Sequence, residues 1–218
     1  MVELISLHVP KCAGTAFRVA LERAYGPAAL HMDYSASPAN PCAQSNIDPE
    51  GYEKDCVQIP GRLAPETRVV HGHFRIDKYH HVGACPRITL LRHPVDRAIS
   101  HYYFWKNGGG GQNPLAHYVR SHSLSLLQFV RLPTIRYFYS GVFFRSVTRS
   151  MFDFVGCYER IGDDLERLAR LLGRPFTLPR ANEGVRDSER SRADTQGVRD
   201  ALTSALAEDI AFYENWCH

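Results

Sequence analysis

Residues 1–17 read MVELISLHVPKCAGTAF, an apolar run that ends in a small loop and leads into a helical pattern. The run Val2–Val9 predicts a short buried strand, and a helix is expected to start near Gly14 and Thr15. The first N–H groups of a helix have no partner within that helix, so such a corner attracts anions. Lys11 adds a positive charge, and Gly14 lets the backbone approach a bound group closely. The stretch therefore predicts a phosphate or sulfate site.

This loop differs from the phosphate loop of nucleotide triphosphatases, which has the pattern G-x-x-x-x-G-K-[ST]. Here Lys11 precedes Gly14-Thr15, and no glycine stands before the lysine at the required spacing. The order of residues disfavours a kinase-like, ATP-dependent protein. Taken alone, the loop is equally consistent with an ordinary strand–turn–helix corner that carries a solvated lysine.

A second strand-to-helix corner occurs at residues 87–103, which read RITLLRHPVDRAISHYY. Ile88–Leu91 predicts a strand, and Pro94 suits the first turn of a helix that continues to about Lys106. Arg92 stands at the strand's end, where it can form forked hydrogen bonds with phosphate oxygens. Ser100, two turns into the helix, can direct a hydroxyl at the same oxygens. The alternative is a surface arginine and a helical serine without a ligand.

The order Pro-Lys-x-x-Gly-Thr at residues 10–15 and the spacing R-x-P-x-x-R-x-x-S-x-Y at residues 92–102 resemble two motifs of sulfotransferases. These enzymes use 3′-phosphoadenosine 5′-phosphosulfate (PAPS). The resemblance implies a single α/β domain of the P-loop-like sulfotransferase fold, with a central parallel sheet flanked by helices. It also implies that Arg92 and Ser100 bind the 3′-phosphate and that Lys11 stabilises charge on the departing phosphate. The loop expected to hold the 5′-phosphosulfate consists of Lys11, Cys12, Ala13, Gly14, Thr15 and Ala16.

The loop departs from the family's pattern at two positions. Ala16 stands where a hydroxyl residue is common, so one side-chain donor is lost, and Cys12 replaces a frequent threonine. The positive charge of the loop and the nearby helix start are expected to lower the pKa of the Cys12 thiol. No covalent step is expected at this residue.

Two histidines occur between the corners, in the segment RVVHGHF at residues 68–74. On an extended segment, His71 and His73 share a face. The segment resembles the H-G-H segment of carbohydrate sulfotransferases related to the uronyl 2-O-sulfotransferases, in which a histidine removes the proton of the acceptor hydroxyl. The resemblance implies His73 as general base and His71 as a helper that positions the acceptor or a water. A metal-binding pair and two hydrogen-bonded strand histidines are the alternatives, and no metal is expected.

The composition is that of a soluble globular protein. The chain has 218 residues, of which 44% are hydrophobic and 22% charged, and its formal net charge is +3. We expect one domain, residues 1–218, in which residues 26–65 form an irregular excursion near the acceptor cleft. No membrane span and no nucleic-acid partner are expected. The compact form looks bacterial, which predicts a cytoplasmic protein, with a trimmed Golgi-luminal domain as the alternative.

The second half of the chain predicts further regular elements. Residues 152–159 are expected to form a strand, and Ile161–Leu172 a helix that ends at Gly173. A last helix is expected from about Thr195 to Trp216. Aromatic residues at 137–139 and 143–144 are expected in the core, although some could line a sugar platform.

Two further groups of residues leave alternatives open. Cys42 and Cys56 bracket a polar loop and are expected either to form a disulfide in an oxidising compartment or to be free thiols. A basic run near the C-terminus is expected to be a solvated face, or else to close over the nucleotide with one arginine on a phosphate. That run comprises Arg186, Arg190, Arg192 and Arg199.

The sequence therefore predicts an O-sulfotransferase that moves the sulfuryl group of PAPS to a hydroxyl of a carbohydrate acceptor. A small molecule or a tyrosine is the alternative acceptor. A nucleotide-binding module without activity is the alternative of another class.

Overall fold

Five parallel strands form one sheet in the part of the chain that this computed structural model describes, residues 1–34, 37–179 and 195–218. The strands are β1 (Leu4–Leu7), β2 (Leu30–Asp33), β3 (Val69–Gly72), β4 (Arg87–Leu91) and β5 (Phe154–Cys157). Their order across the sheet is β2-β3-β1-β4-β5, and every neighbouring pair is parallel. The predicted α/β architecture, a central parallel sheet flanked by helices, is confirmed.

Helices surround this sheet and connect its strands. They are α1 (Gly14–Tyr25), α2 (Gln44–Ile47), α3 (Pro49–Cys56), α4 (Ile59–Arg62), α5 (Pro94–Lys106), α6 (Pro114–Ser121), α7 (Leu126–Val130), α8 (Pro133–Arg136), α9 (Ile161–Leu172), α10 (Gln196–Ala205) and α11 (Ala207–Cys217). A π-helical turn spans Phe138–Phe143. Among the described residues, no helix is long and apolar enough to cross a membrane.

The central strands are buried on both faces, which explains their continuous apolar sequences. All four residues of β1, β3 and β5 are buried. Helix α1 packs Phe17 and Leu21 into the same core, and the aromatic side chains of Phe138, Tyr139, Phe143 and Phe144 are buried there too. The expectation that these aromatics belong to the core is confirmed, and Tyr137 is half-buried.

The order of the strands places the two predicted corners next to each other. Strands β1 and β4 are neighbours, with Leu7 opposite Thr89, and the Thr89 hydroxyl donates to the Leu7 carbonyl at 3.0 Å. From β1 the chain runs through α1 to β2 at one edge, and from β4 through α5 to β5 at the other. In open α/β sheets, ligands bind where the connections diverge in this way, outside the carboxyl ends of the strands.

Two expectations about regular structure need correction. Residues 26–65 are not an irregular excursion throughout, because the described part of this segment contains the edge strand β2 and three short α-helices. The segment Leu30–Asp33 is only partly buried, and its sequence, LHMD, lacks the apolar run of the central strands. The single helix expected from Thr195 to Trp216 is interrupted at Leu206. The interruption lets α10 contact α5 and α7 while α11 contacts β5 and the π-helical turn.

A disulfide joins Cys157, at the end of β5, to Cys217, at the end of α11. Cys42 and Cys56, whose pairing was left open, are free thiols. The bond connects residues 60 apart in sequence, so it constrains a large loop of the unfolded chain. It holds the C-terminal helix against the strand that ends beside the second corner.

The Cys217→Ser variant is expected to lose about 2–4 kcal/mol of unfolding free energy, because the unfolded chain is no longer cross-linked. Urea denaturation without reductant measures this loss. Cys42→Ser is the matched control, since Cys42 is exposed and free, and it should unfold like the parent protein. Equal stability of Cys217→Ser and the parent would contradict the expected contribution of the bond.

Candidate active site

A single hydroxyl group contacts both predicted corners. The buried Tyr139 hydroxyl donates to the Arg92 carbonyl at 2.6 Å and accepts from the Arg92 backbone N–H at 3.2 Å. The same oxygen lies 3.4 Å from the Cys12 thiol sulfur. Asp209 of α11 accepts from the Tyr139 backbone N–H at 2.9 Å, and this bond holds the tyrosine in place. The loop after β1 and the end of β4 are therefore fastened to one buried side chain.

The loop after β1 has the backbone shape of an anion site. Lys11 and Ala13 both have positive φ values, 69° and 62°, which are uncommon for residues other than glycine. Alternation of left-handed and right-handed residues turns successive N–H groups toward one concave side, where anions bind. No side chain of Ala13 caps α1, so the N-terminal N–H groups of this helix are left to other acceptors. Strain of this kind is typical of functional loops.

The side chains of this loop have different surroundings. The Lys11 ammonium lies over the Phe104 ring, 4.1 Å from its centroid. Thr15 is exposed, whereas Gly14 and Ala16 are buried. Gly14 does not need a positive φ here. It is glycine because a Cβ at this position would overlap the imidazole of His8.

The expectation for Cys12 is wrong. Its thiol is buried, and burial raises its pKa to about 11, although Arg97 and Arg92 and the Tyr139 hydrogen bond act in the opposite direction. Desolvation of the thiolate outweighs the positive charge of the loop. Cys12 is therefore a buried, protonated thiol and packs the loop against Tyr139.

Arg92 provides an unsatisfied donor at the second corner. Its guanidinium lies 4.7 Å from the centroid of the Tyr158 ring, and its Nε is buried without a hydrogen-bond partner among the described residues. A buried charged donor without a partner is costly, so an anion at this position would be stabilising. Ser100, two turns into α5, is half-buried.

Other side chains hold the second corner rigid. Glu159 accepts from the His93 backbone N–H at 2.8 Å and from the Tyr213 hydroxyl at 2.6 Å, which ties the start of α5 to α11. Arg97 is fully buried against the Phe138 ring and donates to the Ile135 carbonyl at 3.4 Å. Arg97 thus packs α5 against the segment that leads into the π-helical turn, and its Nε is also buried without a hydrogen-bond partner among the described residues.

Three imidazoles meet at the carboxyl ends of β1 and β3. The His8 ring is stacked on that of His71, with centroids 5.3 Å apart, and lies 4.5 Å from that of His73. The Nδ1 of His71 lies 2.9 Å from the Ser6 hydroxyl, and the His73 backbone N–H donates to the Asp33 carbonyl at 2.8 Å. His71 is 1% exposed, whereas His73 is half-buried, so His73 is the more accessible of the predicted pair.

Sequence reasoning missed His8. The available signal was its position: His8 directly follows β1, and parallel β1 and β3 are neighbours, so it must lie near His71-Gly72-His73. Tyr34, which directly follows β2, completes the cluster. Its hydroxyl lies 3.1 Å from His8 Nδ1, and its ring centroid is 4.6 Å from that of His73.

Burial keeps all three imidazoles neutral near pH 7. It lowers the pKa of His71 to about 3 and that of His73 to about 4, and it lowers the pKa of His8 well below the usual value. The positive charges that the neighbouring histidines would carry lower the pKa values of His8 and His71 further, whereas Asp33 raises that of His73. The Nε2 atoms of His71 and His73 are buried and have no hydrogen-bond partner among the described residues.

The lowered pKa of His71 makes the stability of the fold sensitive to acid. The unfolded chain takes up a proton at the ordinary pKa of 6.5, whereas folded His71 does so only at about 3. Its contribution is therefore fully present above pH 6.5 and is lost as the pH falls, by about 1.4 kcal/mol per pH unit. In urea denaturation at about pH 7 and about pH 5, His71→Asn should reduce this loss. A variant with the same pH dependence as the parent would exclude His71 as its source.

A cleft of about 750 Å³ lies between residues of the 26–65 excursion and the π-helical turn, and none of the three imidazoles lines it. Tyr52 of α3 and Val142 of the turn both line the cleft, and the Tyr52 hydroxyl is buried beside the Cys56 thiol. Arg75 and Lys78 also line the cleft, and Arg75 is paired with Asp77 at 2.7 Å.

Other expected groups can be located only in part. Arg199 donates to Asp96 in the first turn of α5 at 2.9 Å. The other three arginines of the C-terminal basic run, Arg186, Arg190 and Arg192, lie outside the described residues. In the described part of the chain, no group of three or more His, Cys, Asp or Glu side chains is placed to hold a metal ion.

The solved structures that are similar to this chain include two sulfotransferases. One is a sulfotransferase from Alicyclobacillus acidocaldarius, with 16% sequence identity and a TM-score of 0.48, covering 99% of this chain and 95% of that chain. The other is mouse sulfotransferase SULT7A1 complexed with PAP, with 15% identity and a TM-score of 0.39, covering 90% of this chain and 65% of that chain. No family model matches the sequence, and no curated protein matches it.

Proposed function

We propose that this protein is a sulfotransferase that transfers the sulfuryl group of PAPS to a hydroxyl of a carbohydrate acceptor. The observation that carries the proposal is the convergence of the two corners on the Tyr139 hydroxyl, at the carboxyl ends of neighbouring strands. This convergence supports the binding of one ligand with anionic groups at two positions by the motifs at residues 10–15 and 92–102.

The residues at the corners fit such a ligand. The loop Lys11–Ala16 offers backbone N–H groups, a lysine and the start of α1 to the 5′-phosphosulfate. Arg92 has a buried Nε without a partner among the described residues, and together with Ser100 it would bind the 3′-phosphate. Two separate sets of donors would distinguish a 3′,5′-substituted nucleotide from ATP.

The chemistry needs a base and a cation. His73 Nε2 accepts the proton of the acceptor hydroxyl, while the hydroxyl oxygen forms a bond to sulfur and the bond from sulfur to the 5′-phosphate oxygen breaks. Lys11 stabilises the negative charge that develops on that phosphate. The products are the sulfate ester and adenosine 3′,5′-bisphosphate (PAP), and the proton remains on His73 until water removes it. His71 is nearly inaccessible, so its role would be to position His8 by stacking.

The cleft supports a polyhydroxylated acceptor. It is lined by the Tyr52 side chain, by the charged groups of Arg75 and Lys78, and by Pro38 and Pro41. Sugars offer several hydroxyl groups to such polar side chains, whereas a phenol or tyrosine offers one. The cleft volume of about 750 Å³ is in the range of small-ligand sites.

Calorimetric titration with PAP and with ATP tests the cosubstrate, and labelled PAPS with a panel of glycans, phenols and tyrosine peptides tests the acceptor. The proposal predicts binding of PAP, weaker or no binding of ATP, and label on a glycan. Label only on a phenol or a tyrosine would reject the carbohydrate acceptor. Binding of PAP without transfer to any acceptor would favour an inactive binding module, and tighter binding of ATP would reject the proposal.

A further inference from the structure

We infer that His8 donates a hydrogen bond from Nε2 to the transferred sulfuryl group, and that Tyr34 orients the imidazole for this purpose. The inference rests on the proposed function and adds a third imidazole to the pair that the sequence singled out. His8 occupies the single position between the end of β1 and the loop residues Val9-Pro10 that lead to Lys11.

The His8 ring lies against the start of α1. A Cβ on Gly14 would overlap the ring, and Nε2 would be its nearest atom. The Cα–Cβ bond of a helical residue tilts toward the N-terminus of the helix, so a group at this position lies beside the first N–H groups of α1. An anion bound at those N–H groups is therefore within reach of Nε2.

Tyr34 determines which nitrogen of His8 carries the proton. The Tyr34 hydroxyl lies 3.1 Å from Nδ1. Toward a neutral imidazole, a phenol donates more strongly than it accepts, so the hydroxyl donates to Nδ1 and the ring proton stays on Nε2. Burial raises the pKa of Tyr34 to about 12, which keeps this hydroxyl protonated. Burial also holds the pKa of His8 well below its usual value, so the ring has one N–H at neutral pH.

The anion loop needs such a donor. Among the side chains of residues 12–16, only Cys12 and Thr15 have a hydrogen to donate. The Cys12 thiol is a weak donor and already contacts Tyr139, whereas Thr15 is exposed. Besides Lys11 and Thr15, His8 is the side chain at this corner that can donate a hydrogen bond to the oxygens of the group in transfer.

The test compares His8→Ala, His8→Asn and His8→Gln with the parent protein. Turnover should fall by about a hundredfold in His8→Ala and His8→Asn, as expected for the loss of one preorganised donor. His8→Gln should retain more activity, because its amide N–H lies near the position of Nε2. Without acceptor, calorimetry should detect about fivefold weaker binding of PAPS to His8→Ala, but unchanged binding of PAP, which lacks the sulfuryl group.

Tyr34→Phe provides a second readout that is independent of turnover. Nitrogen-15 NMR of the ligand-free protein should assign the ring proton of His8 to Nε2, and Tyr34→Phe should shift part of the population to the other tautomer.

Equal loss of PAPS and PAP binding in His8→Ala, or equal turnover of His8→Asn and His8→Gln, would overturn the inference. If the parent transfers sulfate and His8→Ala does so at the same rate, only the role of His8 fails. If the parent binds neither PAP nor PAPS, the proposed function fails, and the role of His8 with it.

Discussion

Replacing Lys11 with alanine is expected to lower turnover by about a thousandfold, because the departing phosphate loses the cation that stabilises its developing charge. The Lys11→Ala variant should remain folded, with a stability close to that of the parent protein. The Lys11 ammonium lies 4.1 Å from the centroid of the exposed Phe104 ring, and a cation–π contact at such a site contributes about 0.5–1 kcal/mol. Steady-state kinetics with PAPS measure the loss, and thermal unfolding measures the stability.

Lys106→Ala is the matched control for this variant. Lys106 also lies on aromatic rings of α5, 5.8 Å from the centroid of Tyr102 and 5.9 Å from that of Tyr103, but it belongs to neither corner. Its replacement removes the same charge and a similar contact, so turnover should stay at the parent level. Turnover of Lys11→Ala within about tenfold of the parent would reject the role assigned to Lys11.

The sequence was most informative at the second corner, where the residues at the start and just after the end of the helix indicate the same helix bounds. The bounds of α5, Pro94–Lys106, match the prediction, because proline is preferred at the start of a helix and residues 108–111 are all glycine. The helix Ile161–Leu172 and its end at Gly173 were likewise predictable, because glycine is common just after the last residue of a helix. Gly173 has the left-handed φ, 62°, that this position often requires. By contrast, β2 was missed, because an edge strand does not need an apolar sequence. The interruption at Leu206 was missed because the apolar spacing continues through it.

The parts of the site that sequence could not reveal depend on contacts between distant residues. Tyr139 contacts Cys12, which lies 127 residues earlier in the sequence. No local sequence pattern distinguishes Tyr139 from the other aromatic residues of its segment. The Cys157–Cys217 bond depends on where α11 ends. The pKa of Cys12 was predicted in the wrong direction because charge can be read from the sequence of a loop, whereas burial cannot. His8 could have been found, since neighbouring parallel strands bring their following residues together.

Replacing His73 with alanine is expected to lower the rate of sulfation by about a hundredfold or more, because the acceptor hydroxyl loses its base. The pH dependence of the sulfation rate tests whether the His73 imidazole is this base. Burial lowers the pKa of His73 to about 4, so its neutral form predominates at pH 7. The anionic cosubstrate raises this pKa when it binds, so the parent rate should be flat above the ordinary value of 6.5 and fall at a pH between 6.5 and about 4.

His81→Ala is the control, because His81 is exposed and follows the site in sequence without lining it. It should keep both the parent rate and the parent pH profile. In His73→Ala, the residual rate should no longer fall where the imidazole would be protonated, since that group is absent. A stably folded His73→Ala that sulfates at a nearly normal rate, or that retains the decrease at acidic pH, would assign the base to another residue.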